Sequence, residues 1–217
     1  MMTTPPNDET HCTFIHVVLA GAATLLFATS AGAGIHTWDV VEVFSDASGT
    51  IQYVELLDRG TGGNETGVGN GSLSSGLHSF SWSNGPVGTP TNGRSYLVAT
   101  SAFAALPGAP VPDVIIPSAN VPFFNTAGDT VAFGMIDSLT FGVVPTNGTD
   151  SLTEAAAGGT ITAGPNTPKN YAGTEGSVNA APPGVPSSSV PTILLTLMIM
   201  TAIGFMALRR RGIVDWD

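Results

Sequence analysis

Hydrophobic residues form two long uninterrupted runs, one near each end of the chain, and many short runs between them. The first long run covers residues 14–33 and is rich in alanine and glycine, while the second covers residues 190–208. The nineteen residues of the second run make a helix about 28 Å long at about 1.5 Å per residue, close to the ~30 Å hydrocarbon core of a bilayer. The second run therefore predicts a transmembrane helix.

The short runs between the two ends are typical of β-strands. They are rich in β-branched and aromatic residues and are separated by clusters of Gly, Asn, Ser and Pro. Predicted strands cover residues 38–44, 50–57, 77–82, 95–100, 114–116, 130–133 and 138–143. One helical turn is predicted at 101–106, and loop is predicted at 58–76, at 84–93 and after Pro145. Short strands at this spacing indicate an all-β sandwich or barrel.

The N-terminal run indicates export. It ends in Ala31-Gly32-Ala33, a small-residue pattern at which signal peptides are cut, so residues 1–33 are predicted to be a signal peptide removed before Gly34. A signal peptide normally begins with positive charge, but residues 1–12 contain neither Lys nor Arg. An uncleaved N-terminal membrane anchor therefore stays open as the alternative.

The C-terminal run indicates the orientation of the chain in the membrane. Arg209, Arg210 and Arg211 follow the predicted helix, and basic flanking residues mark the cytoplasmic side. Residues 209–217 are therefore predicted to be a cytoplasmic tail. The preceding β-domain, residues 34–179, and a Pro/Ser-rich linker, residues 180–189, would lie outside the membrane, which agrees with export from the N-terminus.

The order of these C-terminal elements resembles the PEP-CTERM sorting signals of bacteria. Val190 and Pro191 stand before the apolar helix, and the three arginines stand after it. The resemblance implies export, followed by cleavage near Val190-Pro191 by an exosortase-like membrane protease. A plain C-terminal membrane anchor that is never cut is the alternative.

The order of the predicted strands resembles bacterial lamin-tail-like domains. The segments that carry the resemblance are 41–44, 51–56, 95–98, 123–131, 138–142, 151–152 and 165–168. It implies an immunoglobulin-like β-sandwich. It also implies that the domain is an exported attachment or interaction module.

Charge and cysteine content exclude several classes of protein. Six Lys and Arg stand against sixteen Asp and Glu, giving a formal net charge of −10. The basic residues between positions 34 and 186 are the scattered Arg59, Arg94 and Lys169, so binding to nucleic acid, which needs clustered positive charge, is not expected. The single cysteine, Cys12, allows neither an intrachain disulfide nor a cysteine-based zinc site.

Two glutamates in the first predicted hairpin are the candidate chemical site. A four-residue turn would pair Phe44 with Ile51 and Glu42 with Tyr53. Glu42 and Glu55 would then share one face of the sheet and lie diagonally, about 7–8 Å apart, whereas a one-residue bulge in the turn would place them on opposite faces. Two such carboxylates are a candidate Ca²⁺ site, and the alternative is that they face solvent or accept hydrogen bonds from loop amides.

The sequence predicts a non-catalytic protein. It contains no nucleophile elbow, Walker A or dinucleotide-binding motif, and no cofactor other than Ca²⁺ is expected. The leading hypothesis is an exported cell-surface or extracellular-matrix protein in contact with the membrane, the export machinery, and envelope polysaccharide or surface proteins. The alternatives are a calcium- or carbohydrate-binding module and a hydrolase in which His78 meets a serine and an aspartate in space.

Overall fold

The computed structural model describes residues 1–3, 34–181, 198, 203, 206 and 207. Most of the predicted signal peptide, most of the linker and transmembrane helix, and the whole cytoplasmic tail lie outside these residues. So do the predicted processing positions Ala31, Ala33, Val190 and Pro191, and the three arginines of the tail. Among the residues described, no helix has both the length and the apolar character needed to cross a bilayer.

Ten β-strands and few helical residues make up the described domain. The strands are β1 (Trp38–Ser45), β2 (Gln52–Asp58), β3 (Ser72–Ser74), β4 (Ser79–Ser81), β5 (Ser95–Ala99), β6 (Val114–Ile115), β7 (Asp129–Phe133), β8 (Asp137–Phe141), β9 (Asp150–Glu154) and β10 (Ile161–Pro165). One turn of α-helix, α1 (Ser101–Ala104), follows β5, and 3₁₀ turns lie at Thr66–Asn70 and Ser118–Asn120.

The strands form two sheets that pack face to face. The larger sheet has the order β10-β9-β1-β2-β5-β6 and the smaller one β4-β3-β7-β8, and all neighbours are antiparallel except β5 and β6. Apolar side chains from both inner faces form the main core. Its largest fully buried members include Trp38, Leu56, Leu73, Phe123, Phe124 and Phe133. The predicted all-β sandwich is confirmed.

A second, smaller core covers the outer face of the larger sheet. Phe44 and Tyr53 stack with their ring centroids 5.3 Å apart, and Phe103 of α1 meets Tyr53 edge-on at 5.0 Å. Val178 packs against this cluster from the C-terminal segment 166–181, which we call the strap. Strands β1 and β2 are consequently buried on both faces, which explains why nearly every residue in them is inaccessible to solvent.

The predicted register of the first hairpin is wrong by two residues. Phe44 pairs with Tyr53, and Glu42 pairs directly with Glu55. The connection is six residues long because Asp46 closes it: its N–H donates to the Ile51 carbonyl at 3.0 Å, and its carboxylate accepts the Ile51 N–H at 2.9 Å. Since a shift of two residues conserves the side-chain alternation, the two glutamates still share a face.

Three strands lie in stretches predicted as loop, namely β3, β9 and β10. A β-bulge between Val40 and Glu42 also interrupts β1. The bulge turns Val40 and Val43 to the same inner face, so Glu42 and Phe44 point outward to the strap.

Candidate functional site

The two predicted glutamates lie side by side under the strap. Glu42 in β1 and Glu55 in β2 are direct cross-strand partners, and they are only 2 % and 6 % exposed. Buried carboxylates are costly unless each is paired or hydrogen-bonded. The hydrogen-bond partners of Glu42 and Glu55 therefore show whether the two carboxylates are structural or are free to bind a ligand.

Glu42 is held by four hydrogen bonds. Its Oε1 accepts the Tyr53 hydroxyl at 2.5 Å, the Ser151 hydroxyl at 2.6 Å and the backbone N–H of Thr167 at 3.0 Å. Its Oε2 accepts the Thr167 hydroxyl at 3.1 Å. The carboxylate thus joins β2, β9 and the strap to β1.

Glu55, on the neighbouring strand β2, also accepts a backbone hydrogen bond from the strap. Its Oε2 accepts the backbone N–H of Lys169 at 2.8 Å. Burial is the main cause that raises the pKa of this carboxyl to about 8. The hydrogen bond from Ser95 opposes this shift, and the neighbouring charge of Glu42 adds to it. Glu55 is therefore a carboxyl group that titrates near neutral pH while it fastens the strap.

Asp113, which the sequence analysis did not single out, continues the row. Its Oδ2 accepts the N–H of Leu97 at 2.8 Å and the N–H of Tyr171 at 2.9 Å. The two glutamates and Asp113 thus receive the N–H groups of Thr167, Lys169 and Tyr171. In extended backbone, the N–H groups of successive residues point to opposite sides. The N–H groups of every second residue, here Thr167, Lys169 and Tyr171, therefore all face the sheet. We call the three acids the carboxylate row.

The C-terminal end of the strap is held by hydrogen bonds to the side-chain amide of Asn166 and to the backbone of Gly148. Asn166 donates to the carbonyl of Val178 at 2.8 Å and accepts the N–H of Val178 at 2.8 Å. Ala180 then donates its N–H to the carbonyl of Gly148 at 2.8 Å. The strap is consequently fastened along its length, from the carboxylate row to the last residues of the described domain.

Gly148 allows this last contact, and its replacement tests how the strap is closed. Its φ is +86°, and a Cβ there would lie 2.1 Å from the backbone nitrogen of Ala181. We expect Gly148→Ala to lower the free energy of unfolding by about 1–3 kcal/mol, because the left-handed conformation disfavours a side chain and the strap must move. Hydrogen exchange should accelerate at Val178 and Ala180 first.

The matched control for this substitution is Gly142→Ala. A Cβ at Gly142 meets nothing within 4 Å, and its φ lies outside the left-handed region. This variant should unfold like the wild type. Equal stability and equal exchange in the two variants would contradict the proposed closure of the strap at Gly148.

The carboxylate pair is already supplied with protein hydrogen bonds. A Ca²⁺ ion takes six to eight oxygen ligands, whereas the oxygens of Glu42 and Glu55 are directed at backbone and hydroxyl donors. Within the described ranges, no group of three or more His, Cys, Asp or Glu is arranged to hold a metal ion. The geometry favours the structural alternative, and calcium binding at Glu42 and Glu55 stays a prediction.

His78, the histidine of the hydrolase alternative, lies in the turn between β3 and β4. Its backbone N–H donates to the Ser75 hydroxyl at 3.0 Å, and its carbonyl accepts the Ser75 N–H at 2.8 Å. The imidazole has no hydrogen-bond partner in the part of the chain that the structure describes. The geometry therefore gives the hydrolase alternative no support.

A second feature, which the sequence analysis also missed, lies on the outer face of the smaller sheet. The side chains that alternate with its buried apolar residues are small and uncharged. They are Ser72, Ser74, Ser79, Ser81, Thr130, Ala132, Ser138 and Thr140. We call these eight positions the hydroxyl face.

The hydroxyl face is a regular grid. Ser72 lies opposite Ser81, Ser74 opposite Ser79, and Ala132 opposite Ser138. The hydroxyls of Thr130 and Thr140 share a hydrogen bond of 2.8 Å. Among the described residues, the five serine hydroxyls have no side-chain partner, so they are free to donate and to accept. A shallow depression of about 610 Å³ lies over one part of this face, where Ser74, Thr130, Ala132 and Thr140 line it together with the bordering Asp129.

Asp129 borders the hydroxyl face, and its carboxylate is hydrogen-bonded to the backbone. Its carboxylate accepts the N–H groups of Thr130 at 2.7 Å, Gly76 at 2.8 Å and Asn125 at 2.9 Å. The bonds to Asn125 and Thr130 are the local turn contacts typical of an aspartate that starts a strand, and the bond to Gly76 ties β7 to the turn between β3 and β4.

Comparison of the chain with models of protein families, with curated proteins and with solved structures gave no match. The functional interpretation therefore rests on the residues and their geometry.

Proposed function

We propose that this chain is an exported, non-catalytic cell-surface or extracellular-matrix protein that contacts neutral envelope polysaccharide through its hydroxyl face. The observation that carries the proposal is the grid of side chains on the outer face of the smaller sheet, in which the five serine hydroxyls have no partner among the described residues. The carboxylate row is occupied in fastening the strap. The hydroxyl face itself therefore offers neutral hydrogen-bonding groups.

A hydroxyl grid suits a neutral polymer for two reasons. Each hydroxyl both donates and accepts hydrogen bonds, as do the hydroxyls of a sugar. The hydrogen bonds that each surface makes to water are therefore able to be replaced by hydrogen bonds between the two surfaces. None of the eight positions is charged, and the bordering Asp129 carboxylate already accepts three backbone N–H groups. Contact with the eight positions therefore does not require a charge to lose its hydration. Single hydroxyl bonds contribute only about 0.5–1.5 kcal/mol each, and a repeating polymer would gain avidity by engaging several sites at once.

Export and anchoring belong to the same proposal. The described domain lies between an apolar run that ends in Ala31-Gly32-Ala33 and a second apolar run that ends at three arginines. This order supports an ectodomain held at the membrane, or released after cleavage near Val190-Pro191. The lamin-tail-like resemblance supports an attachment module, and we propose that the two-sheet sandwich is of that immunoglobulin-like kind.

Polysaccharide contact is tested by adding charge to the hydroxyl face. The probe is protease-treated envelope polysaccharide from the producing cells, with cellulose as a neutral reference, and the readout is co-sedimentation of the detergent-solubilised full chain. We expect Ser74→Glu combined with Ser138→Glu to weaken binding at least tenfold. The matched control is Ser101→Glu, an exposed substitution at the start of α1. Equal binding of the control and the double variant would overturn the proposed contact surface.

Export is tested by the intact mass of the protein recovered separately from membranes and from medium. A mass that begins at Gly34 and ends near residues 186–190 would support export with C-terminal cleavage. A mass that keeps Trp216 and Asp217, found in membranes alone, would support a plain anchored ectodomain. Recovery from the cytosol with residues 1–33 in place would overturn the proposal.

A further inference from the structure

Strand β10 forms one edge of the larger sheet and has a free outer side. All five of its residues pair with β9 in an uninterrupted register, from Ile161 opposite Glu154 to Pro165 opposite Asp150. Its backbone makes no other hydrogen bond within the described domain. Thr162, Ala163 and Pro165 are exposed. A regular edge of this kind is a template for another strand.

The other sheet edges in the described domain carry protection that β10 lacks. Strand β6 has two residues and lies between Pro112 and Pro117, and β4 has three residues. Strand β8 begins with Asp137, whose carboxylate accepts the N–H of Val40 at 2.7 Å and so ties that edge to the larger sheet. Short length, proline and inward-pointing charge are the usual defences of an edge strand. On β10 only the terminal Pro165 serves this purpose.

The chain around β10 is also free of charge. Residues 155–168 contain no Asp, Glu, Lys or Arg, although the whole chain has a formal net charge of −10. Two copies of an acidic protein repel each other wherever their carboxylates approach. An uncharged edge is the part of such a molecule on which a second copy is able to dock without that repulsion.

We propose that β10 pairs with β10 of a second copy of this chain and joins the two larger sheets into one continuous sheet. The pairing is antiparallel, with a twofold axis at Ala163, since the same strand must serve both partners. Thr162 then lies opposite Gly164 of the second copy, and Ile161 lies opposite Pro165. The proposal is independent of the hydroxyl face, which lies on the other sheet.

The first test is a disulfide across the axis. In a full chain that carries Cys12→Ser, we introduce Ala163→Cys. Directly opposite residues have Cβ atoms about 4.5–5.5 Å apart, so small backbone adjustments bring the two sulfurs together. We expect Ala163→Cys to form a disulfide-linked dimer under mild oxidation at least tenfold faster than Ser138→Cys, an exposed control on the hydroxyl face.

The second test is the oligomeric state of the detergent-solubilised full chain, measured by light scattering over a range of concentrations. We expect a dimer, and we expect Ala163→Glu to raise the dissociation constant at least tenfold because it places two like charges opposite each other. Ala163 is exposed, so circular dichroism should show an unchanged fold. A monomeric wild type, a dimer insensitive to Ala163→Glu, or equal oxidation of both cysteine variants would each overturn the proposal.

Discussion

Replacing Glu42 with leucine should lower the free energy of unfolding by about 3–5 kcal/mol. The substitution leaves the hydroxyls of Tyr53 and Ser151 and the N–H of Thr167 without their acceptor. Each of the two buried hydroxyls costs about 1–3 kcal/mol when it is unsatisfied. The strap would also lose one of its three carboxylate attachments. The measurement is urea denaturation at pH 5, where Glu55 is protonated in the folded state.

Two further variants make the Glu42 result specific. Glu42→Gln keeps an acceptor oxygen in nearly the same place and should lose less than half as much stability. Glu175→Leu removes a carboxylate that is 61 % exposed and should change stability by less than about 0.5 kcal/mol. A Glu42→Leu protein as stable as Glu175→Leu would show that the carboxylate row does not fasten the strap.

The second large effect should be a fall in stability as the pH rises. Burial raises the pKa of Glu55 from 4.5 to about 8, so the folded protein binds this proton more tightly than the unfolded chain does. The contribution of Glu55 to stability is therefore greatest below about pH 4.5, declines as the pH rises to about 8, and is constant above that. At about 1.4 kcal/mol per pKa unit, the loss is on the order of 5 kcal/mol.

Glu55→Gln isolates this effect from other titrating groups. The amide oxygen still accepts the Lys169 N–H, and the amide nitrogen is able to donate to the Ser95 hydroxyl. We expect the two proteins to be about equally stable near pH 5 and the variant to be the more stable at pH 9. Parallel stability curves between pH 5 and pH 9 would contradict a raised pKa at Glu55.

Local sequence chemistry was enough to predict the main strands. Strands β1, β2 and β5 are rich in Val, Leu, Tyr and Phe, and the structure places them together at the centre of the larger sheet. Strands β3, β9 and β10 were missed because they are short and rich in Ser, Thr, Ala and Gly. Their extended conformation depends on neighbours far away in sequence, and the polar–apolar alternation in β3 is too short to predict a strand by itself.

The candidate site was predictable only in part. The shared face of Glu42 and Glu55 followed from strand alternation, but their register depended on how the Asp46 side chain closes the loop. Asp113 could not be added from the sequence, because its link to the row runs through Tyr171, 58 residues away. The hydroxyl face did leave a signal: the Ser-Leu-Ser of 72–74, Ser-Phe-Ser of 79–81 and Ser-Leu-Thr of 138–140 alternate polar and apolar residues.

The strap also determines how the domain would respond to mechanical tension. If the C-terminal helix holds the protein at a membrane, a pull from that side reaches the Gly148–Ala180 and Asn166–Val178 bonds first. These bonds would open one after another, followed by those to Tyr171, Lys169 and Thr167. The sixteen residues of the strap would then extend to a total length of up to roughly 55 Å before the force reaches the sandwich. The strap would lengthen under load before the sandwich unfolds, and so limit the force that the sandwich bears.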